Sequence, residues 1–227
     1  MKAQTTIVSR FSPAEELTAR TAWLTGQEEP LKAAGTVIEA PEGREICAEG
    51  EETDTFYKVV SGVVRVCKFL SDGRRQIEAF HVAGEIFGLE LGDERQLSAE
   101  AVTDCSLIVY RRHTVEQQAS HDQVISQQLF QHAMLGLAQA QTHCLLLGRR
   151  GAAEKVAAFL LEWTTKAGKG DDLHLDMSRQ DIADYLGLTI ETVSRSMSQF
   201  ERDGVITLSG ARQIRVVRRG ALRSLAA

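Results

Sequence analysis

The sequence predicts an α+β protein in which an N-terminal jelly-roll β-barrel is followed by a long helix and a C-terminal winged helix-turn-helix. Three patterns predict this architecture: short apolar runs punctuated by glycine turns, a heptad repeat of apolar residues, and two capped helices followed by a hairpin. The 227 residues suffice for two small domains with separate cores. We place the boundaries at 1–30 for an N-terminal arm, 31–112 for the barrel, 113–147 for the long helix and 148–227 for the C-terminal domain.

The N-terminal arm mixes Thr, Glu and Ala without a clear period, and its predicted element is a short helix from Pro13 to Leu24. It lacks the apolar core of a signal peptide, and no run in the sequence is long and apolar enough to span a bilayer. We therefore expect a cytoplasmic protein that contacts no membrane.

Cysteine usage argues against a metal centre. The cysteines are far apart in the sequence and form no CxxC pair, which is the spacing expected of zinc or iron–sulfur ligands. Reduced, partly buried thiols are expected instead. The four cysteines are Cys47, Cys67, Cys105 and Cys144.

From Gly35 to Arg112, short apolar runs alternate with turn signals such as Ser61-Gly62 and Asp72-Gly73. Many short strands at close spacing predict two packed antiparallel sheets of the jelly-roll kind. The predicted strands are Thr36–Ala40, Glu45–Cys47, Phe56–Val60, Val63–Leu70, Arg74–His81, Leu97–Val102 and Ser106–Arg111.

The long helix, predicted as one element from His113 to Leu147, carries two apolar stripes. One stripe follows the a/d pattern of a coiled coil. We predict that this seam pairs with a second copy as a parallel homodimer, whereas the other stripe packs on the barrel. The alternative is that both stripes belong to the intramolecular core. The seam consists of Phe130, Ala133, Leu137, Ala140, Cys144 and Leu147, and the second stripe includes Leu129, Leu135 and Leu146.

The stretch from Ser178 to Phe200, SRQDIADYLGLTIETVSRSMSQF, predicts two helices joined by a tight turn. Ser178 and Asp181 have the spacing of a capping box at the start of the first helix. Gly187 permits the turn, and Thr189 caps the second helix. This combination is typical of a helix-turn-helix that enters a DNA groove.

The second helix is strongly two-sided. One face is apolar, and the opposite face carries a carboxylate, a guanidinium and small hydroxyls. Arginine bonds guanine bidentately and glutamate accepts from cytosine, so this polar face suits base edges. On an isolated helix such a face would merely be solvated, but the preceding helix and the following hairpin favour DNA. The apolar face is Val193, Met197 and Phe200, and the polar face is Glu191, Arg195 and Ser198 with Ser194 beside it.

A basic hairpin is predicted after the second helix. Its strands are Val205–Leu208 and Gln213–Val217, and its turn is Ser209-Gly210. Such a wing can lie along DNA phosphates. The arginines around it are Arg212, Arg215, Arg218 and Arg219.

Net charge is unevenly distributed along the chain. The total is −5, but residues 1–147 carry −8 while residues 148–227, with 13 Lys and Arg against 10 Asp and Glu, carry +3. Phosphate affinity depends on local charge rather than on the total. The C-terminal domain is therefore the part expected to face nucleic acid.

The order of these elements resembles the CRP/FNR superfamily of bacterial transcription regulators over nearly the whole chain. The resemblance is most specific in FYKVVSGVVRV…GEIFGLE, GAAEKVAAFLL and GLTIETVSR. The segment from YKVVSG through DGRRQIEAFHVAGEIFGLE is most similar to the FixK branch, whose members regulate oxygen-limited and nitrogen-fixation genes. The barrel is then expected to be of the cyclic-nucleotide-binding type.

The resemblance implies roles for individual residues. The E-T-V-S-R pattern is similar to FNR-type readers of a TTGAT…ATCAA palindrome, and it implies recruitment of RNA polymerase through surface loops such as 166–172 and 71–74. The base-contacting positions would be Ile190, Glu191, Ser194 and Arg195, and the phosphate-contacting positions Ser178, Arg179, Thr189 and Thr192.

Departures from the family pattern indicate how the protein is controlled. Cyclic-AMP receptors hold the nucleotide with an Arg-Ser pair and a glutamate, but Leu97 and Leu89 stand at the arginine and glutamate positions. A phosphate buried without its cation is costly. FNR senses oxygen through an N-terminal cysteine cluster, and no cysteine precedes Cys47. We expect no cofactor and no small-molecule effector. A redox-active cysteine occupies the first motif cap in some FixK relatives, where this chain has Ser178.

Two function classes remain: a homodimeric DNA-binding activator, and a ligand-controlled sensor of the same superfamily whose C-terminal domain contacts protein. Leu97 counts against a cyclic nucleotide, and the Glu191 and Arg195 face counts for DNA bases. An enzyme is not expected, because the sequence lacks GxSxG, Walker and HExxH motifs.

Overall fold

The computed structural model describes residues 31, 35–149, 151–166 and 170–226. The arm at 1–30, including the helix predicted from Pro13 to Leu24, lies outside the described residues. So does 167–169, in the middle of one predicted polymerase-contacting loop.

The N-terminal domain is a jelly-roll barrel of two four-stranded antiparallel sheets, which confirms the predicted fold. One sheet has the order β1-β8-β3-β6 and the other the order β2-β7-β4-β5. Between β3 and β4, Gly62 has a φ of 90°, and a Cβ there would lie 2.4 Å from the carbonyl oxygen of Asp104, so glycine is required. The strands are β1 Thr36–Ala40, β2 Glu45–Cys47, β3 Thr55–Ser61, β4 Val64–Phe69, β5 Arg75–His81, β6 Ile86–Phe87, β7 Ser98–Ala101 and β8 Cys105–Arg111.

Strand β6 is the barrel strand that the sequence analysis missed. It has two residues, and it pairs with Tyr57 and Lys58 of β3. A segment this short shows no alternation of apolar and polar residues, so no pattern identifies it. The seven predicted strands are all present, within one or two residues at each end.

The segment predicted as a single helix over 113–147 is two helices, α1 Arg112–His121 and α2 Gln123–Leu147. The break is at Asp122, which has extended backbone dihedrals. Its carboxylate accepts a 2.8 Å hydrogen bond from the backbone N–H of Val124, as a helix N-cap does. Helix α1 packs on the barrel, since its Val115 shares a buried cluster with Phe56 and Tyr110.

The C-terminal domain contains the predicted helix-turn-helix and wing. The wing hairpin is completed by a third strand, so that the sheet order is β10-β11-β9. A C-terminal helix that the sequence analysis did not predict packs against the first helix of this domain. The elements are α3 Ala152–Lys166, β9 Asp172–His174, α4 Arg179–Leu186, α5 Ile190–Arg202, β10 Ile206–Leu208, β11 Gln213–Val216 and α6 Arg219–Leu225.

The barrel has a buried cluster of its own, which includes Val59 and Leu107, as the expectation of separate cores requires, but a second cluster, the shared core, runs through both domains. Phe80 of β5 lies 6.0 Å from Trp163 and 5.5 Å from Tyr185, measured between ring centroids. Val63, Cys67 and the other barrel members of this cluster contact the side chains that fill the C-terminal domain. The barrel and the helix-turn-helix are therefore packed as one body.

The residues of the second stripe of α2 pack against two different parts of the chain. Leu129 packs against the α1 and barrel cluster, as predicted. Leu146 is buried instead in the cluster shared with the C-terminal domain. In the described part of the chain, none of the helices has the length and apolar character needed to cross a membrane.

Candidate nucleic-acid interface

Helix α4 begins with the predicted capping box. The backbone N–H of Asp181 donates to Ser178 Oγ at 3.1 Å, and the Asp181 carboxylate accepts from the backbone N–H of Ser178 at 2.9 Å. These reciprocal bonds satisfy two amides that the first turn of a helix leaves free. Ser178 remains exposed, at the end of α4 where backbone N–H groups favour anions.

The turn between the two helices follows the predicted chemistry. Gly187 adopts a left-handed conformation with φ 62° and ψ 43°, and its N–H donates to the carbonyl of Ala183. Leu188 then packs against the core. Thr189 caps α5 by accepting from the backbone N–H of Thr192 at 3.3 Å, and the hydroxyls of these two threonines lie 3.0 Å apart.

Helix α5 has the two faces that the sequence predicts. Val193, Met197 and Phe200 are buried in the shared core. The predicted base-contacting residues are exposed on the other side, together with Thr189 at the cap, whereas Thr192 and Ser198 are half-buried. The exposed set is Ile190, Glu191, Ser194 and Arg195.

Glu191 and Arg195 do not brace each other as an ion pair. Arg195 Nε donates to the backbone carbonyl of Glu191 at 3.4 Å. Hydrogen bonds from its own backbone N–H and from the Thr189 hydroxyl lower the pKa of the Glu191 carboxyl. The carboxylate is therefore turned towards the start of the helix, and the guanidinium is directed separately into solvent.

Arg179 takes a position that the sequence did not indicate. Its guanidinium contacts the thioether of Met197, and its pKa is lowered by burial. A phosphate contact from Arg179 requires the side chain to turn outward from this position.

Three of the four wing arginines have structural partners. Arg215 pairs with Asp172 of the neighbouring strand, with Nε 2.5 Å from Oδ1. Arg218 donates to the carbonyls of Asp203 and Gly204, which close the end of α5. Arg219 lies 3.5 Å from Asp171. Arg212 is exposed in the loop of the hairpin, where a phosphate could reach it.

The predicted seam lies on the outer side of α2. Phe130 is 67% exposed and Leu137 50% exposed, and Ala133, Ala140 and Cys144 are also exposed. Leu147 differs because it is half-buried and lies beside Gly187 of the helix-turn-helix. Five of the six seam residues thus form an open apolar stripe, and the sixth contacts the DNA-facing domain of its own chain.

The barrel interior holds a buried cation that the sequence analysis overlooked. Arg95 is 2% exposed, and its guanidinium donates to the carbonyl of Thr55 at 2.6 Å and lies 5.5 Å from the ring centre of Tyr57. Oε1 of Glu90 lies 3.9 Å from Nη1 of Arg95. Leu97, at the family's arginine position, is partly buried against the barrel core. Within the residues described by the structure, no three His, Cys, Asp or Glu side chains are grouped as metal ligands.

Comparisons with known proteins agree with this geometry. Residues 37–122 match the cyclic nucleotide-binding domain family, and residues 154–225 match the Crp-like helix-turn-helix domain family. The chain is 43% identical to the nitrogen fixation regulation protein FixK of Rhizobium meliloti, over 86% of this chain and 90% of that protein. It is 43% identical to FixK of Azorhizobium caulinodans, over 86% and 81%.

The structure is similar to that of FixK2 from Bradyrhizobium japonicum. The TM-score is 0.81 at 44% sequence identity, and the match covers 85% of this chain and 98% of that one. The two FixK relatives are named as regulation proteins of nitrogen fixation. Because the barrel, the helix-turn-helix and the sequence all match along most of the chain, this protein belongs to the FixK-type transcription regulators of the CRP/FNR family.

Proposed function

We propose that the protein is a homodimeric transcription activator that binds a TTGAT-N4-ATCAA-like palindrome without a small-molecule effector. The observation that carries this proposal is the outward face of α5, where Glu191, Ser194 and Arg195 are exposed opposite a fully buried apolar face. A helix anchored in this way can enter a major groove without rearrangement of its own domain.

Each residue on the outward face has a distinct proposed contact. Arg195 donates to guanine O6 and N7, Glu191 accepts from cytosine N4, and Ser194 bonds a neighbouring base edge. Ile190, 38% exposed at the start of α5, contacts a thymine methyl. Ser178, Arg179, Thr189 and Thr192 contact phosphates, with Arg179 turning away from Met197 to do so.

The exposed seam of α2 supports the dimer. Apolar side chains at heptad spacing on the outer side of a 25-residue helix are covered when two such helices pair in parallel. A two-fold dimer places two α5 helices against the two halves of a palindrome.

Two features of the barrel support effector independence. Arg95 is already engaged by the Thr55 carbonyl and the Tyr57 ring, and Leu97 supplies no cation for a phosphodiester. In this proposal, activity follows the abundance of the protein. The genes it controls are those of nitrogen fixation and oxygen limitation, as the names of its relatives suggest, and it recruits RNA polymerase through surface loops that include 71–74.

The test is a titration of purified protein, with no effector added, against a labelled TTGAT-N4-ATCAA duplex and a scrambled duplex at one salt concentration. We expect the palindrome to bind about 10³-fold or more tightly than the scrambled sequence. Equal, weak binding to both would overturn effector-independent recognition. A screen of cyclic nucleotides and other small ligands would then test the alternative, a ligand-controlled sensor of the same superfamily.

A further inference from the structure

We propose that Arg75, a barrel residue to which no DNA contact is assigned, is a positioning residue for DNA recognition. It holds α4 against the barrel, and thereby sets the direction in which α5 presents its outward face. This inference deepens the proposed function and rests on it.

Arg75 on β5 reaches two carboxylates of α4. Its Nη2 lies 2.5 Å from Asp181 Oδ1 and 2.8 Å from Asp184 Oδ2, and its Nε donates to Asp184 Oδ2 at 2.9 Å. A second barrel cation, Arg65 on β4, lies 3.2 Å from Asp181 and is itself held by Glu100 at 2.5 Å. Two arginines on neighbouring strands therefore converge on one end of α4.

These charges are largely removed from water. The side chain of Arg75 is 17% exposed and that of Asp181 is 6% exposed. In such surroundings the loss of one partner leaves an uncompensated charge, which costs far more than the loss of a surface ion pair. The cluster consequently favours one orientation of α4 on the barrel rather than a range of orientations.

Asp181 has two functions at once. The carboxylate that binds Arg75 and Arg65 also accepts the backbone N–H and the hydroxyl of Ser178 in the capping box. Docking on the barrel and capping of α4 therefore depend on the same side chain. The predicted phosphate contact at Ser178 is one residue before α4, so movement of this carboxylate is transmitted directly to the DNA-facing surface.

The orientation of α4 determines that of α5. The two helices share a buried core that includes Ile182 and Val193, and the tight turn at Gly187 leaves them little freedom to move separately. Other contacts hold the same interface: Gln76 donates to the carbonyl of Tyr185, and Glu85 lies 3.1 Å from Lys166. In this set, Arg75 is the side chain that bonds two side chains of the motif helix.

The first experiment compares Arg75→Gln with Arg74→Gln in operator binding by the full-length protein. Arg74 is the sequence neighbour, is 75% exposed and pairs with Asp72 on the same hairpin, so it is a matched control. We expect Arg75→Gln to weaken operator binding by about 5–150-fold, the usual range of coupling between distant sites. Arg74→Gln is expected to bind the operator as the unaltered protein does, because this assay contains no RNA polymerase for the 71–74 loop to contact.

The salt dependence separates positioning from direct contact. A residue that binds phosphate lowers the slope of log K against log salt when it is removed, because fewer counterions are released. Arg75→Gln is expected to keep the slope, whereas Arg212→Gln, at the exposed loop of the wing, is expected to lower it. Arg75→Lys, which keeps a cation near both carboxylates, is expected to recover most of the affinity.

Docking is measured without DNA through Trp163, which packs against Phe80 of the barrel and is 2% exposed. In a Trp23→Phe background, which removes the other tryptophan of the sequence, Arg75→Gln is expected to shift Trp163 emission to the red while far-ultraviolet circular dichroism stays unchanged. A general failure to fold would change both signals, and Asp184→Asn then provides a milder variant with the same expected direction.

Operator binding of Arg75→Gln equal to that of the unaltered protein, or a slope lowered as in Arg212→Gln, would overturn the positioning role. An unaltered protein that does not prefer the palindrome would instead refute the proposed function. Trp163 emission distinguishes that case, because it reports docking whether or not DNA binds.

Discussion

Helices α4 and α5 have the same local design but opposite surroundings. Each begins with a hydroxyl cap and carries an apolar face that enters the shared core. The polar face of α4 is covered by barrel arginines, whereas the polar face of α5 is open. The same helix pattern therefore has a covered or an open polar face according to what lies against it, and the open face is the one proposed to contact DNA bases.

Helix α2 repeats this contrast within one element. Leu146 is 4% exposed in the shared core, and Leu137, nine residues earlier, is 50% exposed on the seam. Both residues are leucines. Their different exposure is therefore set by what surrounds them in the fold and not by the residue type.

The largest effect is expected when a charge is placed in the exposed apolar seam of α2. Leu137→Glu introduces a charge into the proposed dimer seam, and we expect monomers with operator binding weaker by about 10²–10⁴-fold, because the two half-sites are no longer bound together. Sedimentation and operator titration measure both effects. Leu145→Glu, a leucine 76% exposed but outside the predicted a/d positions, is the control. A dimer that persists in Leu137→Glu would mean that another surface pairs the chains.

The next effect is expected on the open face of α5. Arg195→Ala removes the proposed guanine contact, and we expect a loss of about 1–3 kcal/mol per half-site with relaxed specificity at that base pair. Stability is expected to change little, because Arg195 is exposed and is not part of the core. Competition titrations with every base at each operator position measure this loss. An equal loss for operator and random DNA would assign Arg195 to the phosphate backbone.

The ion pairs between the barrel and the C-terminal domain make the free energy of unfolding depend on pH. Burial raises the pKa of Glu85, but Lys166 and His81 more than offset it and bring the pKa to about 2. An unfolded glutamate titrates near about 4.3. Glu85 therefore contributes stability that is complete above about pH 4.3 and is lost as the pH falls towards 2, at most about 3 kcal/mol. Asp181 contributes in the same direction, because burial is outweighed by Ser178, Arg65 and Arg75, which together lower its pKa.

Urea unfolding of the DNA-free protein at a series of pH values measures this dependence. Glu85→Gln is expected to flatten the loss of stability between about pH 5 and 2. Glu162 is the matched control, with an effect of opposite sign. Burial raises the pKa of its carboxyl, so ionisation of Glu162 as the pH rises lowers the stability of the folded protein. An acid response unchanged in Glu85→Gln would place the titrating groups elsewhere.

The smallest effect is expected at the cap of α4. Ser178→Ala removes the hydroxyl that accepts from Asp181, and we expect a loss of about 1 kcal/mol in the free energy of unfolding. Ser178→Thr keeps the hydroxyl and is expected to restore most of that stability. Equal unfolding midpoints for the alanine and threonine variants would show that the capping box does not stabilise this helix.

Most of the fold could be predicted from local patterns in the sequence. Strand alternation, glycine turns, capping pairs and the apolar face of α5 act over a few residues, and all appear in the structure as expected. The break at Asp122 was also visible in principle, since aspartate is a favoured N-cap residue, but the apolar heptad pattern over the rest of the segment concealed it. Strand β6 offered no comparable signal.

The candidate site likewise contains features that the sequence predicts and features that only the structure reveals. The residues facing outward from α5 follow from helical periodicity alone. The inward turn of Arg179 onto Met197 and the pairing of Arg215 with Asp172 do not, because each depends on a neighbour 18 or more positions away. Arg95 was missed for a related reason, since burial of a cation requires acceptors such as the Thr55 carbonyl that only the closed barrel supplies.

By itself, the sequence determined the fold class, the order of elements, the caps of the motif helices and which face of α5 is polar, because short-range sterics and periodicity specify them. The tertiary structure decided that one buried cluster joins the barrel to the helix-turn-helix, and that Arg75 of β5 meets Asp181 and Asp184. Such contacts join positions more than a hundred residues apart, and they form only where the packing of the whole chain brings opposite charges together and excludes water.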